Sequence, residues 1–368
     1  MDYFNLPAQD RRDLLDWGNN ELGISREAIE KDVWICWALD TLFRAPDALP
    51  MAFKGGTSLS KAFDAIRRVS EDVDVSVDFR SLGNITDDLA GLSRSQSDRL
   101  RKQLESSLKA YTAETVMPWM MAEANRRFGT RVLDIELDDS GERMTIHYPS
   151  VIPDPMGYLR PELLLEFGGR NTTDPKDMRK ISPYLATASP EIQFPSADIA
   201  VLSPMRTFWE KATLIHLECR KSEDRTEGKG ERMSRHWSDL AVLADHSIGK
   251  QAITDRQLAE SVVRHKSVFF RDKDADYDAC VSGGLVLVPE PHRRKYLEAD
   301  FRQMTNAGMF YGRNPDFNEI MYRLSELQDE MNRIMRPAIT RPVPDAPKTP
   351  SPSINQIDST RDRPGRGR

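Results

Sequence analysis

Acids crowd the start of one valine-rich run: Glu71, Asp72 and Asp74 lead into residues 72–79, where Val73, Val75 and Val77 alternate with Asp74, Ser76 and Asp78. Side chains two apart on a strand share a face, so Asp72, Asp74, Ser76 and Asp78 fall on one side and the valines on the other. The valine side suits a core. On the opposite side, neighbouring carboxylates repel unless a positive charge lies between them. A divalent cation is the usual solution, and hard oxygen ligands suit magnesium, or manganese in its place. A solvated polar strand face is the alternative reading. Upstream lies the pair Gly55-Gly56. Without a Cβ, backbone can approach a ligand closely. Thr57 and Ser58 are placed to cap a following helix, read as about 58–68, whose free N–H groups favour anions. Phosphate at that helix start would lie near metal at the acids, so the segment reads as gripping both ends of one metal–nucleotide complex.

The elements that must position these groups follow from periodicity. A helical region at 8–45 has Ser25 placed as a cap, and a short strand at 51–56 leads into the glycine pair. Helices fill 95–128 with a break near Pro118, a hairpin at 131–148 turns at Asp139, Ser140 and Gly141, and a strand occupies 158–169. From about Ser203 the pattern becomes helical, with helices read at 203–221, 231–246, 254–270, 292–304 and 314–336. The expected organisation is an α/β domain at 1–200, a helical domain completing the active site at 201–336, and a disordered, basic, proline-rich tail at 337–368.

Composition narrows the class. Of 368 residues, 39% are hydrophobic and 30% charged, which fits a soluble protein with a real core. No apolar run approaches the roughly 20 residues of a membrane helix, and the N-terminus is too polar for a leader peptide. The formal net charge of −6 argues against a protein that coats nucleic acid, so RNA binding would need a local basic groove. Cys36, Cys219 and Cys280 form neither a disulfide framework nor a zinc site, and read as packing residues in a reducing cytoplasm.

The run Gly55-Gly56-Thr57-Ser58-Leu59 followed by Ser70-Glu71-Asp72-Val73-Asp74 resembles the glycine signature and Asp-x-Asp strand of polymerase-β-like nucleotidyltransferases. With "ELLLEFGGR", "RTFWEKATLIH" and "RHWSDLAVL" following in order, the chain looks like the AbiEii/AbiGii toxin branch over about residues 25–270. The resemblance implies an α+β core with a mixed sheet, followed by a helical C-terminal domain. It also implies a third carboxylate on a neighbouring strand. Alternation puts Glu162, Leu164 and Glu166 on one face there, and Glu166 fits the family segment better than Glu162. By the same resemblance Lys211 contacts the triphosphate and Asp239 orients Lys211 or the substrate; Arg206, on the same helix, is a candidate to assist. Arg235 is a candidate phosphate ligand, His236 a helper or a structural histidine, and Lys54 and Lys61 candidates to reach phosphate or nucleic acid.

The expected function is therefore metal-dependent nucleotidyl transfer. Asp72, Asp74 and Glu166 would hold the metal, and Gly55, Gly56, Thr57, Ser58 and Lys211 the NTP. Asp72, Asp74, Glu166, Lys211 and Asp239 form the catalytic set. By resemblance the protein is the toxin of a toxin–antitoxin or abortive-infection system, neutralised by a cognate antitoxin and modifying RNA, the tRNA 3′ end first among acceptors. The alternatives are transfer to a protein or small-molecule hydroxyl, and a non-catalytic regulator that binds nucleotide.

Overall fold

Val73, Val75 and Val77 are fully buried, and the strand they define is central to the sheet. The computed structural model describes residues 1–69, 72–86, 89, 91–153, 159–226, 232–312 and 315–336. Glu71, the loop at 227–231 and the proline-rich tail at 337–368 lie outside the described residues. Seven strands are described: β1 (Met51–Lys54), β2 (Asp72–Asp78), β3 (Asp134–Leu137), β4 (Arg143–His147), β5 (Glu162–Asn171), β6 (Lys176–Ile181) and β7 (Ala197–Leu202). They form one mixed sheet in the order β3-β4-β5-β2-β1-β7-β6. β2 runs parallel to β5 and antiparallel to β1, and β1 runs parallel to β7. The hairpin of β3 and β4 turns through Gly141 at φ +73°, a conformation that glycine adopts without strain.

One face of this sheet is apolar. Leu163, Leu165 and Phe167 on β5 join the three valines and Phe53 of β1, and the helix Arg26–Phe43 covers them with Trp34, Trp37 and Leu39. That helix is buried over most of its length, not along one stripe, because the sheet lies on one side and other helices on the rest. Ser25 caps it as expected, its hydroxyl accepting from the Ala28 N–H. Each fully buried valine contributes about 1.5–3 kcal/mol, so the face assignment of β2 is strongly enforced; a one-residue slip would turn the acids into the apolar core.

A second core joins the N-terminal helix Ala8–Leu22 to the helical part of the chain, with Leu15, Ile29, Leu59 and Ile66 packed in the same cluster as Phe208, Trp209, Trp237 and Leu324. The principal helices there are Pro204–Arg220, Ser234–Asp245, Arg256–Phe269, Pro291–Asn306 and Phe317–Met335. Residues Met1–Arg336 form one compact unit. No helix among the described residues is long and apolar enough to cross a membrane. Cys36 and Cys280 are buried and Cys219 partly so, and burial pushes all three thiols up, as packing residues require.

Three local expectations need correction. The helix after β1 spans Gly55–Lys61 and not 58–68. Gly55, at φ +78°, lets the turn begin at once, and residues beyond Lys61 are drawn off to pair with 309–311: Val69 N–H donates to Met309 O at 2.7 Å, and Arg68 bridges Phe310. Thr57 and Ser58 do not cap that helix. Their hydroxyls donate to Asp72 O and Gly55 O, because each already lies inside the first turn. The chain from Arg94 to Phe128 does not break near Pro118. It passes through a π-helical turn at Thr112–Val116, which places the proline in the first turn of the next helix, where its missing N–H is not needed.

Candidate active site

Register places the acids. On β2 and β5, which run side by side and parallel, Asp74 stands opposite Glu166, and Asp72 stands opposite Leu164 two residues back on the same face. The row extends outward on both sides. Lys54 of β1 is the partner of Asp74, and Arg143 of β4 is the partner of Glu166. Four adjacent strands thus present cation, acid, acid, cation in a line. Arg143 reaches Glu166 at 3.1 Å. Burial pushes the Glu166 carboxyl up, and the charges of Asp74 and Asp72 push it further the same way, against the pull of Arg143. Two carboxylates of β2 thus bear on a third, Glu166, from the neighbouring strand.

The glycine pair sits against this set. A Cβ built at Gly55 would overlap the Asp74 carboxylate, with Asp74 Cγ at 2.7 Å. Only glycine allows both the positive φ and this approach. Gly55→Ala is therefore expected to displace Asp74 by about an ångström and to slow transfer about a hundredfold. It should cost roughly 1–3 kcal/mol of stability through backbone strain. Initial rates and a urea melt on the same preparation check both; unchanged rates would remove Gly55 from the site.

The helix Ser234–Asp245 lays its own charges over the acids. Arg235 and Asp239, four residues apart, share one face of it. Arg235 donates to Asp72 Oδ2 at 2.9 Å, with Arg232 at 3.9 Å from Oδ1. Among the described residues no three acid, histidine or cysteine side chains already converge on one point as metal ligands; Asp72 is drawn to Arg235. Behind it, Asp239 is almost fully buried and accepts from Lys211 at 2.9 Å. The resemblance expected Asp239 to orient Lys211, and the two are paired. Burial alone would push the Asp239 carboxyl up, but Arg68 and Lys211 outweigh it and hold it well below the usual carboxylate range. Burial pushes the Lys211 ammonium down, and Asp239 opposes that only in part. His236 Nδ1 is 3.4 Å from Lys211 Nζ; burial and the nearby cations keep its ring neutral, which fits the structural reading.

Arg68 is one of two site residues that sequence reasoning missed. Its guanidinium grips Asp239 with both arms, at 2.7 and 2.9 Å, and is buried against Gly56. A Cβ at Gly56 would overlap Arg68 Nη2 and stand 3.1 Å from Cζ. The two glycines thus do different work: Gly55 admits Asp74 and Gly56 admits Arg68. No spacing rule connects Arg68 to Asp239 across 171 residues, and nothing in the sequence says which of Arg67 and Arg68 turns inward. Arg143 was missed for the same reason, being on a hairpin whose register is a tertiary fact.

Other candidates are placed elsewhere. Lys61 cannot reach phosphate or nucleic acid as expected: its ammonium is buried on Asp32 and lies 4.2 Å from the centre of the Tyr184 ring. Glu162, the first residue of β5, faces His147 at 3.6 Å, away from Asp74. Arg206 is buried on Glu210 at 3.2 Å. Lys54 lines an open cleft with Asp74 and Glu166.

Residues 37–323 match a family described as nucleotidyl transferase AbiEii toxin, type IV TA (toxin–antitoxin) system. The match reaches well beyond residue 270, into the helix Phe317–Met335. Among solved structures, MenT4, the nucleotidyltransferase toxin Rv2826c from Mycobacterium tuberculosis H37Rv, aligns over 90% of this chain and 100% of its own, at 13% identity and a TM-score of 0.41. No curated protein matches the chain.

Proposed function

Because the chain belongs to the AbiEii family of nucleotidyltransferase toxins of type IV toxin–antitoxin systems, we propose that it moves a nucleotide from NTP to a hydroxyl of an RNA acceptor, the tRNA 3′ end first among them. The observation that carries this reading is the strand row in which Asp74 and Glu166 stand side by side between Lys54 and Arg143, with Gly55 under Asp74.

Asp72, Asp74 and Glu166 would hold magnesium or manganese. When bound, that ion supplies Lewis-acid polarisation of the phosphates and neutralises charge developing on them. Taking up the ion and the NTP requires Asp72 to exchange Arg235 for them, which frees the guanidinium for a phosphate oxygen. Gly55 and Gly56 let Asp74 and Arg68 close on the turn that would meet the triphosphate, and the hydroxyls of Thr57 and Ser58 hold that turn through Asp72 O and Gly55 O. Lys211, steadied by Asp239, adds positive charge where pyrophosphate departs. Glu166 accepts the proton of the acceptor hydroxyl as its oxygen attacks the α-phosphorus. One P–O bond forms to the acceptor, the bond to the β-phosphate bridge breaks, and pyrophosphate carries away the charge. NTP and tRNA are both cytoplasmic, so the protein would act there until its antitoxin binds it.

Incubation of the purified chain with magnesium and each α-labelled NTP, together with total RNA or total protein, tests the acceptor. Label in the tRNA fraction is the expected result. Label in protein or in a small molecule alone would replace the RNA reading by another acceptor, and nucleotide binding without label in anything would make the chain a regulator.

A further inference from the structure

Beyond Glu166 the face of β5 changes character. Alternation brings Gly168 and then Arg170 onto the side that bears Glu166. Gly168 presents no side chain there, which leaves the space between the carboxyl and the guanidinium to the Asn171 side chain. A Cβ at that position would overlap the Asn171 amide. The result is an open cleft of about 170 Å³, walled by Asp74, Glu166, Lys54, Arg170 and Phe270. That is less than the roughly 300–1,000 Å³ of clefts that enclose a whole small-molecule ligand, and suits one charged group of a chain passing across it.

The cations Lys54, Arg143 and Arg170 line this cleft with the acids Asp74, Glu142 and Glu166, two of which belong to the proposed metal set, and Lys266 stands beside its Phe270 wall. Phe270, at the end of the helix Arg256–Phe269, has the Arg170 guanidinium 5.2 Å and the Lys266 ammonium 4.4 Å from its ring centre. An aromatic face holds such groups in place by cation–π attraction. Glu210, the acid whose charge acts on Lys266, already pairs with Arg206 at 3.2 Å. Arg170 has only the distant and partly exposed Glu105 and Glu142, at 3.7 and 4.0 Å, and contacts of that kind contribute little. Lys54 and Lys266 have no acid within ion-pair distance among the described residues. The crowding is felt at Lys266: burial pushes its ammonium down, Glu210 opposes, and Lys54, Arg206 and Arg170 together bring it to about 8. With Asp74 and Glu166 committed to the metal, the cations left around the cleft make a seat for an anion.

The direction of the strands says which anion. β2 and β5 run from Asp72 and Leu164 towards Ser76 and Gly168. Arg235 therefore meets the acids at one end and the cleft meets them at the other. One end serves the donor triphosphate, which leaves the other for the acceptor. We propose that the cleft beside Gly168 seats a backbone phosphodiester next to the acceptor's reacting hydroxyl, with Arg170, Lys54 and Lys266 as its ligands. The inference rests on the RNA-acceptor reading above and supplies the basic groove that the acidic net charge withholds from the rest of the surface.

Arg170→Ala and Lys266→Met separate this seat from the donor site, with a short single-stranded RNA bearing a free 3′ hydroxyl as one probe and each NTP with magnesium as the other. Fluorescence anisotropy over a salt series, without NTP, should give each variant about three- to tenfold weaker RNA binding. The slope of log K against log salt should be shallower by about 0.7 for each lost phosphate contact. NTP affinity by calorimetry should stay within about twofold of the parent. Arg170→Lys, which keeps the charge, should recover most of the RNA affinity, whereas a merely structural Arg170 would not be rescued this way. Weaker NTP binding with unchanged RNA binding would assign the cleft to the donor and overturn the proposal, as would no change in either. These outcomes are read on variants of a parent that labels RNA; a parent that labels protein alone overturns the acceptor reading itself, and the phosphodiester seat with it.

Discussion

Asp74→Asn should reduce nucleotidyl transfer by about 10³-fold or more and should abolish growth inhibition, while leaving the protein folded. The size of the effect follows from position. Asp74 stands opposite Glu166 and against Gly55, so an ion on the triphosphate would lie against its carboxylate, and loss of a single preorganised charge stabiliser in such a site costs on the order of 10²–10³ in rate. Loss of a metal ligand adds to that. The fold should be spared because, among the described residues, no side chain forms an ion pair or hydrogen bond with Asp74, and its neighbour Glu166 is a like charge. Removing the charge relieves repulsion, so a urea midpoint equal to or slightly above that of the parent is expected, within about 0.5 kcal/mol. Asp72→Asn differs: it strands Arg235 and should lower stability as well as rate. An Asp74→Asn chain that remains as toxic as the parent, at equal expression, would separate toxicity from transfer.

What the sequence discloses here is the part fixed by period two. Alternation on residues 72–79 and 162–167 assigns both the apolar and the acidic faces of β2 and β5, because the apolar core on one side leaves the other side no choice. The later helices are legible for a similar reason, each being long and one-sided. The strands β6 and β7 escape notice. β6 is an edge strand whose residues are exposed except Ile181, so it carries no alternating apolar face. The site divides along the same line. Carboxylates on adjacent strands can be read from pattern and resemblance, whereas their cationic partners come from β1, β4 and a helix far along the chain, joined by register alone. Lys61 shows the cost of reading charge without contacts: beside the glycine pair it looks like a phosphate ligand, yet Asp32, on the helix Arg26–Phe43, has already claimed it. The capping role given to Thr57 and Ser58 fails in the same way, since the helix start was placed three residues too late.

Replacement of Asp239 tests the other half of the site and should have the largest effect on stability. Asp239 holds Arg68 through two hydrogen bonds and Lys211 through one, all almost fully buried. Asp239→Asn leaves two buried cations sharing a neutral amide, with Arg235 four residues away adding to the repulsion. Breaking a buried ion pair by removing one partner costs about 3–5 kcal/mol, and here one carboxylate serves two partners. The pH dependence has a definite sign. The carboxyl is held below its unfolded value of about 3.9. Its contribution is therefore complete above that value and is lost as pH falls toward the folded value. Urea melts of parent and variant should differ fully at pH 7, and the gap should close progressively below about pH 4. Arg68→Lys, which keeps a charge but loses the fork, should fall between the two. A gap that stays constant down to pH 3 would mean that Asp239 contributes through packing and not charge, and Lys211 would then need some other group to hold it in place for the triphosphate.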